Sequence, residues 1–371
     1  MCTIVDVVFV TYKLPIGTQE RSIMSKNAKT LAGIVIVVVI AIAAYFGFTH
    51  TGAKSTSDKT IKDLKVYFVP SKQPDKIVTA TAPLKGLLKD QLKKEGYTVD
   101  NVDIKVGTSY EAAGEALTSG TADIGFIPGG TYVMYEDGVK PLLTATRAGL
   151  NKNFSDAAKW NDGKPTEQIK EQSSKYRSIF IAGPSAKGQE LAKKVNAGQK
   201  LTWDDLSSAK WGLSSTTSSA GYIYPSLWLN KNYKKTVADL KNTVTVDSYG
   251  SGMARLASGQ IDIMPTYGDA RRDFAKLWTT DYQQPKSIWE ETNVIGVSQE
   301  IYNDTISVSK KSKIMTPEFE KALSKAFINL AKTKEGKQVI AIYSHEGYEP
   351  AKSSNYDGER AAQKVLKNSQ K

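Results

Sequence analysis

From residue 64 onward, short apolar segments alternate with segments whose apolar residues recur at helical spacing. The first apolar segment, residues 64–69, is followed by residues 77–95, in which Leu84, Leu88 and Leu92 share one face of a predicted helix. A chain that alternates strands and helices folds around mostly parallel sheets, because each helix connects two neighbouring strands. The sequence therefore predicts an α/β fold with enough chain for two domains.

Two sets of these units predict two lobes around a cleft. A polar segment at residues 151–175, rich in Asn, Asp, Gly and Pro, is typical of an inserted surface excursion. The predicted boundaries are lobe 1 at 61–183, lobe 2 at 184–288, a return to lobe 1 at 289–350 and a C-terminal tail at 351–371.

An uncharged apolar segment, residues 31–48, precedes the α/β part and directly follows Lys26 and Lys29. A basic flank before an apolar run is typical of an export signal or signal-anchor. The length of the run predicts an uncleaved transmembrane anchor. Cleavage after Ala44 or Ala53, and so secretion, is the alternative.

The predicted anchor determines how the rest of the N-terminal region is interpreted. Residues 1–30 are expected to form a cytoplasmic segment, of which 1–23 are not translated if synthesis starts at Met24. Residues 49–60 are rich in Thr, Ser, Gly and Lys and predict a flexible linker. The lobes are then expected on the extracytoplasmic face of the cell membrane.

The composition excludes several classes of function. Cys2 is the single cysteine and His50 and His345 are the two histidines, so neither a cysteine-based metal site nor a zinc site is expected, and no cofactor is predicted. The net charge of +12 comes from lysines spread along the chain. Because no nucleic-acid recognition motif accompanies that charge, nucleic acid is not an expected partner.

The segment with the most chemistry is Ser-Ser-Thr-Thr-Ser-Ser-Ala-Gly-Tyr-Ile-Tyr-Pro at residues 214–225, between a predicted strand and a predicted helix. Hydroxyl side chains at a helix start can cap free backbone N–H groups. They can equally turn their O–H groups toward an anion that the N–H groups also face. The residues alone leave both interpretations open.

This segment, with Ser218, Ser219, Ala220 and Gly221 followed by Pro225, resembles the Ser-Thr-Ser-Gly and proline motif of the phosphate, phosphite and phosphonate substrate-binding proteins of ABC transporters. Three further segments are similar to the same family and occur in its order: 122–127 with Tyr132 following, 176–181 and 250–263. The resemblance covers about residues 64–348.

The resemblance implies a two-lobed periplasmic-binding-protein fold of the second type, here preceded by the N-terminal anchor. It implies capture of a phosphonate, phosphite or phosphate oxyanion for an ABC permease and its ATPase by a monomer without enzymatic activity. The ligand and the permease are not identified by the sequence. A surface hydrolase with a serine nucleophile and a ligand-sensing ectodomain are the alternatives.

By position, Ser218 and Ser219 match the family's hydroxyl donors, and Asp269 matches an acidic residue that contacts a protonated group of the ligand. Ala220 departs from the family, which has a hydroxyl there, and Tyr267 could compensate or could serve packing. Arg271 and Arg272 could bind an anion, although adjacent arginines on a helix are usually solvated. The predicted ligand-contacting residues are Ser71, Tyr110, Thr217, Ser218, Ser219, Ser251, Tyr267 and Asp269.

Overall fold

The computed structural model describes residues 59–369, in which two β-sheets with flanking helices form two lobes. In chain order the strands are β1 (Lys59–Phe68), β2 (Tyr97–Val106), β3 (Ile124–Ile127), β4 (Val139–Leu150), β5 (Gln168–Ser173), β6 (Lys175–Ala182), β7 (Trp211–Leu213), β8 (Thr243–Thr245), β9 (Ile263–Tyr267), β10 (Asn293–Tyr302), β11 (Thr305–Ser309) and β12 (Gly347–Pro350). The first sheet has the order β12-β4-β11-β3-β1-β2 with β5 beside β4, and the second has the order β10-β6-β9-β7-β8.

The helices connect and cover these strands. They are α1 (Pro74–Thr81), α2 (Leu84–Lys94), α3 (Tyr110–Ser119), α4 (Gly129–Met134), α5 (Ala186–Asn196), α6 (Trp203–Ser208), α7 (Tyr224–Tyr233), α8 (Tyr249–Ala257), α9 (Ala270–Thr280), α10 (Ile288–Glu291), α11 (Pro317–Leu330), α12 (Lys334–Ile340) and α13 (Asp357–Ser369). The helix predicted over 77–95 is two helices, because Pro83 has no backbone N–H to donate and its ring disfavours a continuous helix.

Parallel pairing at the centre of the first sheet agrees with the alternation in the sequence. Strand β1 pairs in parallel with β2 and β3, and α2 packs its apolar face on this sheet. Leu64, Leu84 and Leu88 are fully buried there. The second lobe has its own core, in which Leu256 and Met264 are equally buried. The predicted two-lobed α/β architecture is confirmed.

The lobe boundaries differ from the predicted ones. Strand β6 was expected in lobe 1, but it pairs with β9 and β10 in the second sheet. The predicted return to lobe 1 at residue 289 also comes too early, because β10 belongs to the second sheet and β11 is the first returning strand. An apolar run predicts a strand but not its partner, since these antiparallel pairings join residues far apart in sequence.

The predicted C-terminal tail contains an ordered helix. Helix α13 contacts α4 in lobe 1 and α7 in lobe 2. Gln363 Nε2 donates to the Gly130 carbonyl at 2.7 Å on the lobe 1 side, whereas Ala362 is buried in the core of lobe 2. The helix therefore lies across the junction between the lobes.

The predicted anchor at 31–48 and nearly all of the predicted linker lie outside the described residues. Within residues 59–369, none of the helices has both the length and the apolar character needed to cross a membrane.

Candidate ligand-binding site

A small cavity of about 50 Å³ lies between the two lobes. By the same measure one water molecule needs about 10–15 Å³, so there is room for roughly three to five non-hydrogen atoms. The polar side chains in its wall are Ser71, Lys72, Tyr110, Arg147, Tyr176, Ser218, Ser219, Tyr249, Tyr267, Asp304, Tyr343 and Ser344. This size and this density of hydroxyl groups suit the head group of a small oxyanion.

Ser218 stands at the start of a helical segment whose first residues line this cavity. It caps the short π-helical segment Ser219–Ile223, which runs directly into α7, and its Oγ accepts from the Gly221 N–H at 3.2 Å. Residue 221 must be glycine, because a Cβ there would lie 2.3 Å from the Ser214 Oγ. The segment therefore caps its own helix and also presents hydroxyl groups to the cavity, so the two interpretations of the sequence are compatible.

Hydrogen bonds across the cleft hold the lobes in a closed arrangement. The Gly130 N–H of lobe 1 donates to the Ser219 Oγ of lobe 2 at 3.0 Å, and the Thr131 and Thr217 hydroxyls lie 3.1 Å apart. Burial disfavours the charge on Glu111 of lobe 1, but the hydroxyls that follow β7 donate to this carboxylate and hold its pKa below the ordinary value. The cavity therefore lies between two lobes that contact each other directly.

Two cations in the cavity wall are each paired with a carboxylate of the opposite lobe. Lys72 lies 3.1 Å from Asp273 and also donates to the Tyr267 hydroxyl. Arg147 donates to Asp269 at 3.1 Å, and both side chains are buried. Burial disfavours the charge on Asp273, but Lys72 holds the pKa of this carboxyl below its ordinary value.

Asp304 is a carboxylate in the cavity wall that is paired with neither cation. The His345 Nε2 lies 3.8 Å from its Oδ2, and burial lowers the pKa of this histidine, so the ring is neutral at physiological pH. Asp304 can therefore accept a hydrogen bond from a protonated group of a ligand.

The tyrosines in the wall keep their protons over the physiological pH range. Burial raises the pKa of Tyr249 to about 12, and burial raises the pKa values of Tyr110, Tyr176, Tyr267 and Tyr343 well above the ordinary value of 10. Neutral phenols can donate to an oxyanion without adding charge to the cavity.

The predicted contact residues divide into two groups. Ser71, Tyr110, Ser218, Ser219 and Tyr267 line the cavity. The other three predicted residues lie elsewhere, and each has a local structural role.

Asp269 immediately precedes α9 and lies outside the cavity wall. Its carboxylate pairs with Arg147 of the opposite lobe. Thr217 is bonded to Thr131, and Ser251 is part of the capping box of α8 with Ser248. Arg271 is also buried away from the cavity, with its guanidinium 4.7 Å from the Trp289 ring.

Sequence reasoning missed seven polar residues of the wall: Lys72, Arg147, Tyr176, Tyr249, Asp304, Tyr343 and Ser344. Lys72 follows Ser71 directly after β1, and Tyr249 begins the helix after β8, so strand-end position could have indicated both. The chain passes from lobe 1 to lobe 2 after β5 and returns between β10 and β11. Arg147 and Asp304 lie near these two connections, and no local sequence motif marks either residue.

A family model matches residues 66–356; its description is "ABC transporter, phosphonate, periplasmic substrate-binding protein". A search of curated proteins finds no match.

Several solved structures share the fold. The binding-protein component of an ABC phosphonate transporter from Pseudomonas aeruginosa is 14% identical, with a TM-score of 0.58 over 81% of this chain and 85% of that chain. A Prochlorococcus marinus PhnD1 in complex with methylphosphonate is 17% identical, with a TM-score of 0.59 over 82% of this chain and 98% of that chain. A Xanthomonas citri protein bound to ATP is 14% identical, with a TM-score of 0.56 over 83% of this chain and 99% of that chain.

Proposed function

Because the chain belongs to the family of periplasmic substrate-binding proteins of phosphonate ABC transporters, we propose that the cavity at Ser218 and Ser219 is where it captures its ligand. Proteins of this family bind substrate and are not enzymes, so the hydrolase alternative is set aside. The observation that carries the proposal is the cavity of about 50 Å³ between the lobes, whose wall combines serine and tyrosine hydroxyls with Lys72 and Arg147.

The proposed contacts follow from the chemistry of the wall. The Ser218 and Ser219 hydroxyls and the neutral phenol of Tyr110 donate to the phosphonate oxygens, whereas the Tyr267 O–H is donated to Asp273 at 2.8 Å. Lys72 lies beside them and, with Asp273 and Tyr267 as partners for two of its N–H groups, has a third N–H for the ligand. The ligand class is a phosphonate, phosphite or phosphate head group, since four or five heavy atoms fill the available volume.

Further parts of the proposal concern the assembly. The closed lobes deliver the ligand to an ABC permease with its ATPase, and the protein acts as a monomer. Residues 31–48 anchor it to the extracytoplasmic face of the membrane, with signal cleavage as the alternative. Mass-spectrometric determination of the mature N-terminus distinguishes the two.

A thermal-shift series tests the ligand class. Methylphosphonate, phosphite and phosphate are each added to the purified protein, with sulfate and methanesulfonate as matched anions that carry no P–OH. A ligand at 100 times its Kd stabilises a protein by about 2.7 kcal/mol, which is readily measured. If none of the phosphorus oxyanions raises Tm, the proposed function is wrong.

Asp304 is expected to select anions that carry a proton. A carboxylate beside a fully ionised sulfate repels it, whereas a P–OH group can donate to the carboxylate. Asp304→Asn should therefore reduce the preference for methylphosphonate over sulfate by tenfold or more, measured as the ratio of the two Kd values by calorimetry. An unchanged ratio would exclude this role. Asp247→Asn, an exposed acidic residue outside the cavity wall, is the control.

A further inference from the structure

Glu359 is a buried carboxylic acid immediately behind the proposed site. It lies in the first turn of α13 and is 1% exposed. Around it, Arg360 binds Glu136 of lobe 1 at 2.8 Å, and Ala362 packs in the core of lobe 2. A Cβ on Gly129 would lie 3.2 Å from the Glu359 Oε1, so the carboxyl group meets the α4 backbone of lobe 1. Glu359 therefore sits where the closed lobes meet.

Neither carboxyl oxygen of Glu359 has a hydrogen bond of good geometry among the described residues. An ionised carboxylate that is buried without partners is strongly disfavoured, so the closed arrangement favours the neutral acid. Burial raises the pKa of Glu359 to about 8, and the neighbour that favours its charged form is the Ser219 hydroxyl. Ser219, unlike Glu359, lines the cavity.

The Ser219 hydroxyl has one proton to donate and two lone pairs to accept with. The Gly130 N–H occupies one lone pair at 3.0 Å. If Glu359 is ionised, it attracts the Ser219 proton and turns it away from the cavity. If Glu359 is protonated, its O–H can donate to the second lone pair, and the Ser219 proton is free to point at a ligand.

We propose that Glu359 is a positioning residue: as a neutral acid it directs the Ser219 O–H toward the bound oxyanion, and it couples lobe closure to proton uptake. This inference rests on the proposed function of the Ser219 site. The ligand is a phosphonate-type anion whose binding brings one proton onto the protein. No contact between Glu359 and the ligand is required.

The other titratable groups around Glu359 lie on α4, on α7, on or just before α13, and in the cavity wall. Tyr224 of α7 and Tyr356, which precedes α13, have pKa values raised far above 10, first by burial. Arg360 is paired with Glu136 and Asp357, and its pKa is raised by the hydrogen bond that it donates to Glu136. Tyr132 of α4 contacts Arg360, and Asp304 and Tyr176 act on this region from the cavity wall.

The sign of the pH effect follows from the raised pKa. The closed form keeps Glu359 protonated up to about pH 8, whereas an open form that hydrates the carboxyl would ionise it nearer the ordinary 4.5. The contribution to closure is complete below about pH 4.5 and is lost as the pH rises toward 8. Affinity for methylphosphonate should therefore fall over this range.

The test compares the wild-type protein with Glu359→Gln, whose amide N–H donates at every pH. Between pH 6 and pH 8, the wild-type Kd for methylphosphonate should rise about tenfold or more relative to that of the variant, since uptake of one proton changes Kd by up to tenfold per pH unit. Parallel pH profiles would overturn the inference. If Glu359 had only a structural role, the variant's Kd would differ from that of the wild-type protein by the same factor at every pH.

A second measurement does not depend on the variant. Calorimetry of the wild-type protein at pH 7 in two buffers of different ionisation enthalpy gives the protons taken up per methylphosphonate, after correction for the ligand's own titration. Uptake of about one proton is expected, and uptake near zero contradicts the inference. If methylphosphonate fails to bind at any pH, the proposed function itself is wrong; binding without proton uptake overturns only the role of Glu359.

Discussion

Replacing Ser218 and Ser219 together with alanine is expected to abolish the stabilisation of the protein by methylphosphonate. The double variant removes two hydroxyl groups from the cavity wall, and their O–H groups are proposed donors to the anion. It also removes the cap on Gly221 and the acceptor for Gly130, so the ligand-free protein should lose about 1–3 kcal/mol of stability. Thermal shift with and without ligand separates the two effects.

Ser226→Ala is the matched control for this double variant. Ser226 is also buried and lies on α7, but its hydroxyl donates to the Tyr222 carbonyl and does not line the cavity. The control should lose a comparable amount of stability and keep its response to ligand. A double variant that still responds fully would show that the site has been assigned wrongly.

Gly130→Ala is expected to weaken ligand binding at least tenfold without unfolding either lobe. In the closed arrangement a Cβ at residue 130 would lie 2.4 Å from Ile223 and 2.6 Å from the Thr217 carbonyl, both in lobe 2. Residue 130 is helical, so within lobe 1 alanine favours the helix by about 0.5–1 kcal/mol. The substitution therefore obstructs closure and leaves the open form intact.

Small-angle scattering and calorimetry together measure this effect. The wild-type protein should remain compact with ligand, whereas Gly130→Ala should have a larger radius of gyration and a Kd raised tenfold or more, equivalent to about 1.4 kcal/mol. Gly86→Ala is the control, because a Cβ there meets nothing within 4 Å. Unchanged affinity in Gly130→Ala would mean that the ligand does not need the closed arrangement.

The serine segment could be predicted because its signal is local. A run of hydroxyl residues between a strand and a helix indicates a site at the carboxyl edge of a sheet, whichever strands surround it. Ser71 and Tyr110 were found by the same reasoning. Together with the family resemblance, such positions identify five of the cavity residues: Ser71, Tyr110, Ser218, Ser219 and Tyr267.

Two charged residues of the cavity, Arg147 and Asp304, could not be predicted in this way. Arg147 and Asp304 lie on or beside the chain crossings between the lobes, and they meet only because β4 and β11 are neighbours in the first sheet. Asp269 had the right residue type at a strand end, but the structure pairs it with Arg147. We therefore propose that Asp304, and not Asp269, contacts the protonated group of the ligand.

The lobe boundaries and the C-terminal helix were missed for a related reason. Apolar periodicity indicates that residues 176–182 form a strand, but the choice of sheet depends on pairing with β10, more than a hundred residues away. The sequence of α13 is mostly polar, and which of its residues are buried, among them Glu359 and Ala362, is decided by docking against both lobes.

The central claim is that the lobes close over a phosphorus oxyanion held by Ser218 and Ser219. A crystal structure of the protein with methylphosphonate tests it most directly. The account predicts the phosphonate group inside the cavity, with its oxygens within about 3 Å of both serine hydroxyls. Methylphosphonate bound elsewhere, or a cavity filled only by water at saturating ligand, would contradict it.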